Sequence, residues 1–255
     1  MNRKRQPHWQ TPPHNLVLGK DEIHIWRVHL DLPVEQIAQL SQILSEDEQT
    51  RAERFRFPQH RQRFIAARGI LRQLLGAYLD LPGDRLIFNY SSRGKPSLAP
   101  SMERANLEFN LSHSQDLAVY GFTLGRRIGI DLEYLRSTTD VEGIASRFFA
   151  AKESEIINNL VGEKQQQAFF QIWTAKEAYL KATGEGIAGS LAAVEVSWSE
   201  EFPICLLSFP ENTVGGWFLH DFIPATNYVA TVAVEGLTEA NKIEFWSWYS
   251  GSQKN

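Results

Sequence analysis

Arg54-Phe55-Arg56-Phe57-Pro58 leads into a helical stretch that carries Ala66-Ala67-Arg68-Gly69 and closes near Gly76. Arg147-Phe148-Phe149-Ala150 leads into another, which carries Thr174-Ala175-Lys176-Glu177 and closes at Gly184. Superposing the two glycines sets Arg68 against Lys176 and Gly69 against Glu177. The likeness is weak, and coincidence explains it as readily as duplication does. Read as a duplication, it predicts an α+β chain of two pseudo-symmetric halves. Each would be a small, mostly antiparallel sheet packed with helices, with the ligand cleft between them.

Working outward, residues 23–30 alternate in part and predict a strand. A polar stretch follows, and then Ser45 with Glu48 three residues later predicts a capping box that opens a helix. From residue 62 to 79 the apolar side chains Phe64, Ile65, Leu71, Leu74, Leu75 and Tyr78 recur at helical spacing, and Asp80-Leu81-Pro82-Gly83 ends that helix. Strands are expected over 86–90, up to Phe109-Asn110, over 117–124 and over 127–133, with a turn at 91–96. A second helical block runs from about Thr139 to Thr183, with a polar break near 162–167. Strands follow over 194–198, 204–209, 217–222 and 228–234. This organisation gives an irregular lead-in over 1–20, an N-terminal half over 21–125, a C-terminal half over 126–236 and an unassigned tail over 237–255.

The 255 residues are 43% hydrophobic and 22% charged, the balance of a chain that folds around a core. A formal charge of −4 supplies no basic field for nucleic acid. The single cysteine, Cys205, excludes an internal disulfide framework, and its setting Ile204-Cys205-Leu206-Leu207 predicts a buried thiol. No apolar run reaches the roughly 20 residues of a membrane helix. The start Met1-Asn2-Arg3-Lys4-Arg5 is followed by polar residues rather than by the apolar core of a leader. A cytoplasmic protein is expected, without membrane partners.

Four constellations carry candidate chemistry. In Ile128-Gly129-Ile130-Asp131-Leu132-Glu133, strand alternation puts Gly129, Asp131 and Glu133 on one face. Two carboxylates beside a glycine could seat a hard cation such as Mg²⁺, or they could lie on a solvated strand face. In Trp173-Thr174-Ala175-Lys176-Glu177-Ala178-Tyr179-Leu180-Lys181, Glu177 and Lys181 stand one turn apart, as partners at a phosphate site or as a surface ion pair. Phe109-Asn110-Leu111-Ser112-His113-Ser114 reads as a strand-ending loop whose hydroxyl and imidazole face an anion, or as a self-satisfied turn. A Ser-His hydrolase is excluded by the lack of a nucleophile elbow around either serine. Arg93-Gly94-Lys95-Pro96 is by itself a basic turn that can meet phosphate.

Together, in this order and spacing, the four motifs resemble the surfactin-type 4′-phosphopantetheinyl transferases, from about Ser45 to Ile187. Past Ile187 only the strand pattern agrees. The resemblance implies a monomeric, Mg²⁺-dependent enzyme that moves phosphopantetheine from coenzyme A to a serine of an acyl- or peptidyl-carrier protein. It places the metal ligands at Asp131, Glu133 and Glu177, makes Glu177 the general base, and sets Lys181 against the pyrophosphate. It gives Arg51 and His113 to the 3′-phosphate, Arg93, Gly94 and Lys95 to the adenine and phosphate end, and Ser112 to phosphate. Glu48 stands where some members carry a basic residue, with Arg63 a candidate to make up that charge.

The implied chemistry is coherent. The carrier serine attacks the phosphorus that bears the pantetheine, adenosine 3′,5′-bisphosphate leaves, and positioning with charge neutralisation does most of the work. Two alternatives stand beside it: a metal-dependent phosphohydrolase using the same carboxylates, and an inactive module that binds coenzyme or carrier. The carriers of fatty-acid, polyketide, nonribosomal-peptide and glycolipid synthesis are all compatible with the sequence.

Overall fold

A computed structural model describes residues 6–136, 140–185, 191–209, 216–236 and 242–249. The expected helix start at Thr139, the lead-in residues 1–5, and Gly186 and Ile187 at the end of the resembling segment lie outside them.

The first half runs β1 (Glu22–His29), α1 (Val34–Gln42), α2 (Glu46–Glu53), α3 (Pro58–Leu79), the short strands β2 (Phe88–Tyr90) and β3 (Pro96–Leu98), then β4 (Leu107–Ser114) and β5 (Leu117–Leu124). The second runs β6 (Ile128–Tyr134), α4 (Val141–Phe148), α5 (Ala151–Asn158), α6 (Gly162–Thr183), the short strands β7 (Glu195–Ser197) and β8 (Cys205–Ser208), then β9 (Trp217–Phe222) and β10 (Tyr228–Glu235). A last strand, β11 (Lys242–Ser247), follows. The main sheets are ordered β11-β1-β5-β4 and β6-β10-β9, and β2–β3 and β7–β8 form separate two-stranded pieces. Without β11, the two halves have the same element order and the same sheet topology, β1-β5-β4 against β6-β10-β9.

Strand alternation builds a layered arrangement from these sheets. Ile23 and Ile25 of β1 and Leu117 and Val119 of β5 share a core with Ile128, Ile130, Leu132, Ala230, Val232 and Val234 of the second sheet. The opposite face of the first sheet, with Trp26, Val28, Ala118 and Tyr120, packs on α1 and α3. Val229 and Ala233 pack with α6. Helices therefore flank two sheets that meet face to face.

Several local expectations change. The segment after β1 holds α1, whose buried Ile37 and Leu40 are three apart. The helix expected from residue 62 begins at Pro58, a residue suited to a first helical turn. β4 continues to Ser114, so the 109–114 motif is strand rather than loop. Its pairing with β5 persists to Ser114↔Leu117 because the Gln115-Asp116 turn reverses the chain at once, with Gln115 at φ 53°. The helical break falls before Gly162, which starts α6. Cys205 is exposed, because the next residue, Leu206, is the one that packs toward the core around α6 and alternation turns Cys205 to the other face of β8. The tail contributes β11, parallel to β1.

Candidate active site

The site forms where α6 crosses β6, and Gly129 makes the crossing close. A Cβ built there would run into the Ala178 carbonyl oxygen and the Ala182 amide, with the Ala182 Cα at 3.0 Å. On the same strand face Asp131 is buried, and its Oδ1 lies 2.6 Å from Lys181 Nζ. Glu177, one turn earlier on α6, is buried as well.

β4 supplies the third wall. Asn110, Ser112 and Ser114 alternate along it and each bonds to β6. The Ile130 amide donates to Asn110 Oδ1 at 2.9 Å, and Ser112 Oγ donates to Asp131 Oδ1 at 3.0 Å. Ser114 Oγ donates to Glu133 Oε2 at 3.2 Å. Lys181 Nζ also donates to Ser112 Oγ at 3.0 Å. Asn110 and Ser114 belong to the 109–114 motif but have no role in its sequence reading. Their spacing of two was the signal, hidden by the expectation of a loop.

Electrostatics mark the crossing as strained for charge. Burial first, and the neighbouring Asp131 second, push the Glu177 carboxyl up to about 7. Burial and Asp131 raise Glu133 in the same way. Asp131 Oδ2 and Glu177 Oε1 are buried without a hydrogen-bond partner. Among the described residues no three metal-ligating side chains stand as a ready-made cage. Mg²⁺ needs none: it takes one or two carboxylates and completes its shell with water and phosphate oxygens. Two unpartnered oxygens on mutually repelling carboxylates fit such an ion.

Two adjoining cavities lead away from the crossing. One, of about 230 Å³, is lined by Arg93, Gly94, Lys95, Asn110 and Lys181 among others. The next, of about 260 Å³, shares Gly94 and is lined by Glu48, Arg51, Phe64, Arg68 and Tyr90. Lys95 Nζ donates to the Ala182 carbonyl at 3.0 Å and to that of Ile128 at 3.3 Å, and burial brings its pKa down to about 8. His113 lines neither cavity. Although its surface is exposed, the packed surroundings of its ring first, then Lys181, and more weakly Arg51 and Arg63, lower its pKa. The structure thus brings Asp131, Glu177, Lys181 and Ser112 together, groups Arg93, Gly94, Lys95 and Arg51 along the cavities, and leaves Glu133 toward the rim. Arg63 does not stand in for the charge missing at Glu48. It is committed to Asp31 through two bonds of 2.7 Å, and Glu48 is itself enclosed by arginines.

A model of the 4′-phosphopantetheinyl transferase superfamily matches residues 127–233, and one of the N-terminal part of such transferases matches residues 33–122. The 4′-phosphopantetheinyl transferase HetI of a Nostoc species is 47% identical over 240 residues, covering 94% of this chain and 98% of its own. The 4′-phosphopantetheinyl transferase psf-1 of Bacillus pumilus is 34% identical over 65% of this chain and 69% of its own. Among solved structures, the holo-[acyl-carrier-protein] synthase of Thermotoga maritima aligns over 42% of this chain and 61% of its own, with 19% identity and a TM-score of 0.35.

Proposed function

The chain belongs to the 4′-phosphopantetheinyl transferase superfamily, and from that premise we propose how its cleft carries out the transfer. It moves the phosphopantetheine arm of coenzyme A onto a serine of an apo acyl- or peptidyl-carrier protein and releases adenosine 3′,5′-bisphosphate. The convergence of Asp131, Glu177, Lys181 and Ser112 at the α6–β6 crossing, beside a basic cavity, carries the reading.

Asp131 and Glu177 would hold Mg²⁺, with Glu133 as a peripheral ligand. The bound ion would supply charge neutralisation at the pyrophosphate. Lys181 is held by Asp131 and Ser112 at the height of the carboxylates, so its ammonium meets the same pyrophosphate charge before and during transfer. Ser112 offers its hydroxyl to a phosphate oxygen. Burial gives Glu177 a proton affinity suited to taking a proton from the carrier serine near neutral pH. Lys95, Arg93 and Gly94 would line the nucleotide and its phosphates, and Arg51 with His113 would meet the 3′-phosphate.

In finer detail, the reading is of the surfactin-type subclass. Its halves divide near residue 125, between the two matched segments, and the cleft lies between them. One chain carries every residue assigned to the site, which suits a monomer. Among the described residues no helix is long and apolar enough to cross a membrane, in keeping with a cytoplasmic enzyme that meets soluble carriers.

Intact-mass measurement of an apo-carrier incubated with coenzyme A, with and without Mg²⁺, tests the reading. The phosphopantetheine mass is expected only when both are supplied. Release of the bisphosphate without any carrier would instead indicate a hydrolase.

A further inference from the structure

The β2–β3 hairpin carries Arg93, Gly94 and Lys95, yet it belongs to neither main sheet. With three residues per strand it cannot keep its own shape in water, so its place is fixed by whatever grips it. On one side Lys95 grips the carbonyls of Ile128 and Ala182 in the second half. On the other side the grip comes from a buried arginine pair in α3. Arg68 Nη2 donates to the Tyr90 hydroxyl at 2.7 Å. The ring of Phe88 lies 5.0 Å from the Arg68 guanidinium and 4.9 Å from that of Arg72.

Glu48 anchors both arginines. Its Oε1 accepts from Arg68 Nε at 2.8 Å, and its Oε2 accepts from Arg72 Nε at 2.6 Å. Oε2 also accepts from the Ser45 amide at 3.2 Å, so the residue that caps α2 clamps α2 to α3. Arg51 lies one turn farther along α2. A line of contacts thus runs from α2, which carries Arg51 and Glu48, through Arg68 to Tyr90 of the hairpin. The same residues line the 260 Å³ cavity.

The second half repeats the device. Glu153, at the matching position of α5, accepts from the Ala150 amide at 2.8 Å and from the Val196 amide of β7 at 2.8 Å, and it pairs with buried Lys176 of α6 at 2.5 Å. In both halves, then, a buried glutamate near the start of a short helix pairs with a cation on the long helix, and the pair holds a two-stranded hairpin, through Arg68 in the first half and through Glu153 itself in the second.

We propose that Glu48, Arg68 and Tyr90 form a positioning brace that holds the Arg93–Lys95 turn at a fixed distance from Arg51, setting the affinity for coenzyme A without entering the transfer chemistry. The proposal rests on the reading of this cleft as the coenzyme site. Arginine is required because its planar fork reaches Glu48 and Tyr90 together, which a lysine ammonium cannot do.

Tyr90→Phe removes only the hydroxyl. A hydrogen bond to a charged group is worth roughly 10- to 100-fold. Tyr90 is 40% exposed, so water recovers part of this, and KM for coenzyme A should rise about 5- to 10-fold. Turnover and KM for the carrier should stay within about twofold, the pattern of lost uniform binding. Amide exchange over residues 88–98 in the coenzyme-free enzyme should quicken while Tm holds. Arg68→Lys should reproduce the pattern, and Arg68→Met should exceed it. Parental KM and parental exchange in both Tyr90→Phe and Arg68→Lys would overturn the brace, as would a fall in turnover at unchanged KM. Failure of the parental enzyme to bind coenzyme A by calorimetry would instead overturn the reading of the cleft.

Discussion

Gly129 lies so close beneath Ala178 that no side chain fits between β6 and α6. The atoms in the way are main chain, and they cannot turn aside as a flexible side chain would. Gly129→Ala should therefore cost at least about 1–3 kcal/mol in denaturant unfolding, the range for overpacking a core. Transfer should fall further than stability alone accounts for, since the same displacement moves Lys181 off Asp131. An alanine variant with parental stability and rate would show that the crossing is looser than described.

Asp131→Ala should abolish transfer, and Glu133→Ala should cost distinctly less. Asp131 is buried and joined to Lys181 and Ser112, whereas Glu133 is less buried and joined to Ser114. Loss of Asp131 also leaves Lys181 without its carboxylate. Single-turnover rates at saturating coenzyme A are the measure. Equal and mild losses would return both carboxylates to a structural role.

Glu177→Gln keeps an oxygen for a metal ion and removes the proton acceptor. A carboxylate base supplies about 10²- to 10⁴-fold, and a loss of that size is expected, with coenzyme affinity much less affected. A parental rate would leave Glu177 neither base nor strict carboxylate ligand. Outright loss of coenzyme and Mg²⁺ binding would make it a ligand first.

Lys95 should make coenzyme binding take up a proton in mildly alkaline solution. Burial holds its pKa near 8 in the free enzyme, and an adjacent phosphate would raise it, so near pH 8.5 binding favours the protonated form. Affinity should therefore fall as pH rises through this range. Calorimetry in buffers of different ionisation heat should show the uptake for the parental enzyme and its loss in Lys95→Met. Equal proton uptake in the two would assign the effect to another group.

Much of the candidate crossing was legible because it depends on local periodicity. Alternation set Asp131 beside Gly129 on one strand face, and one helical turn joined Glu177 to Lys181. The capping box of Ser45 and Glu48 was equally local. What escaped depends on distant partners or on weak turn chemistry. β4 ends in a reversal at Gln115-Asp116, which lacks the Asn-Gly or Asp-Gly signal of a tight hairpin. Cys205 sits in an apolar run, but which face of a small hairpin is covered depends on tertiary packing. The pairing of Glu48 with Arg68 spans 20 residues and left no local pattern beyond the faint likeness of the two halves.

β11 has a consequence for how the molecule is made. It pairs with β1 across 220 positions of sequence, Glu22 opposite Lys242. During synthesis the first sheet must wait, with one edge of β1 open, until the second half has been made. Such an edge is a template for unwanted pairing between chains. Early chain termination after β10 would leave every residue assigned to catalysis in place and still yield a polypeptide with an unprotected edge. Its hazard would be aggregation before any loss of chemistry.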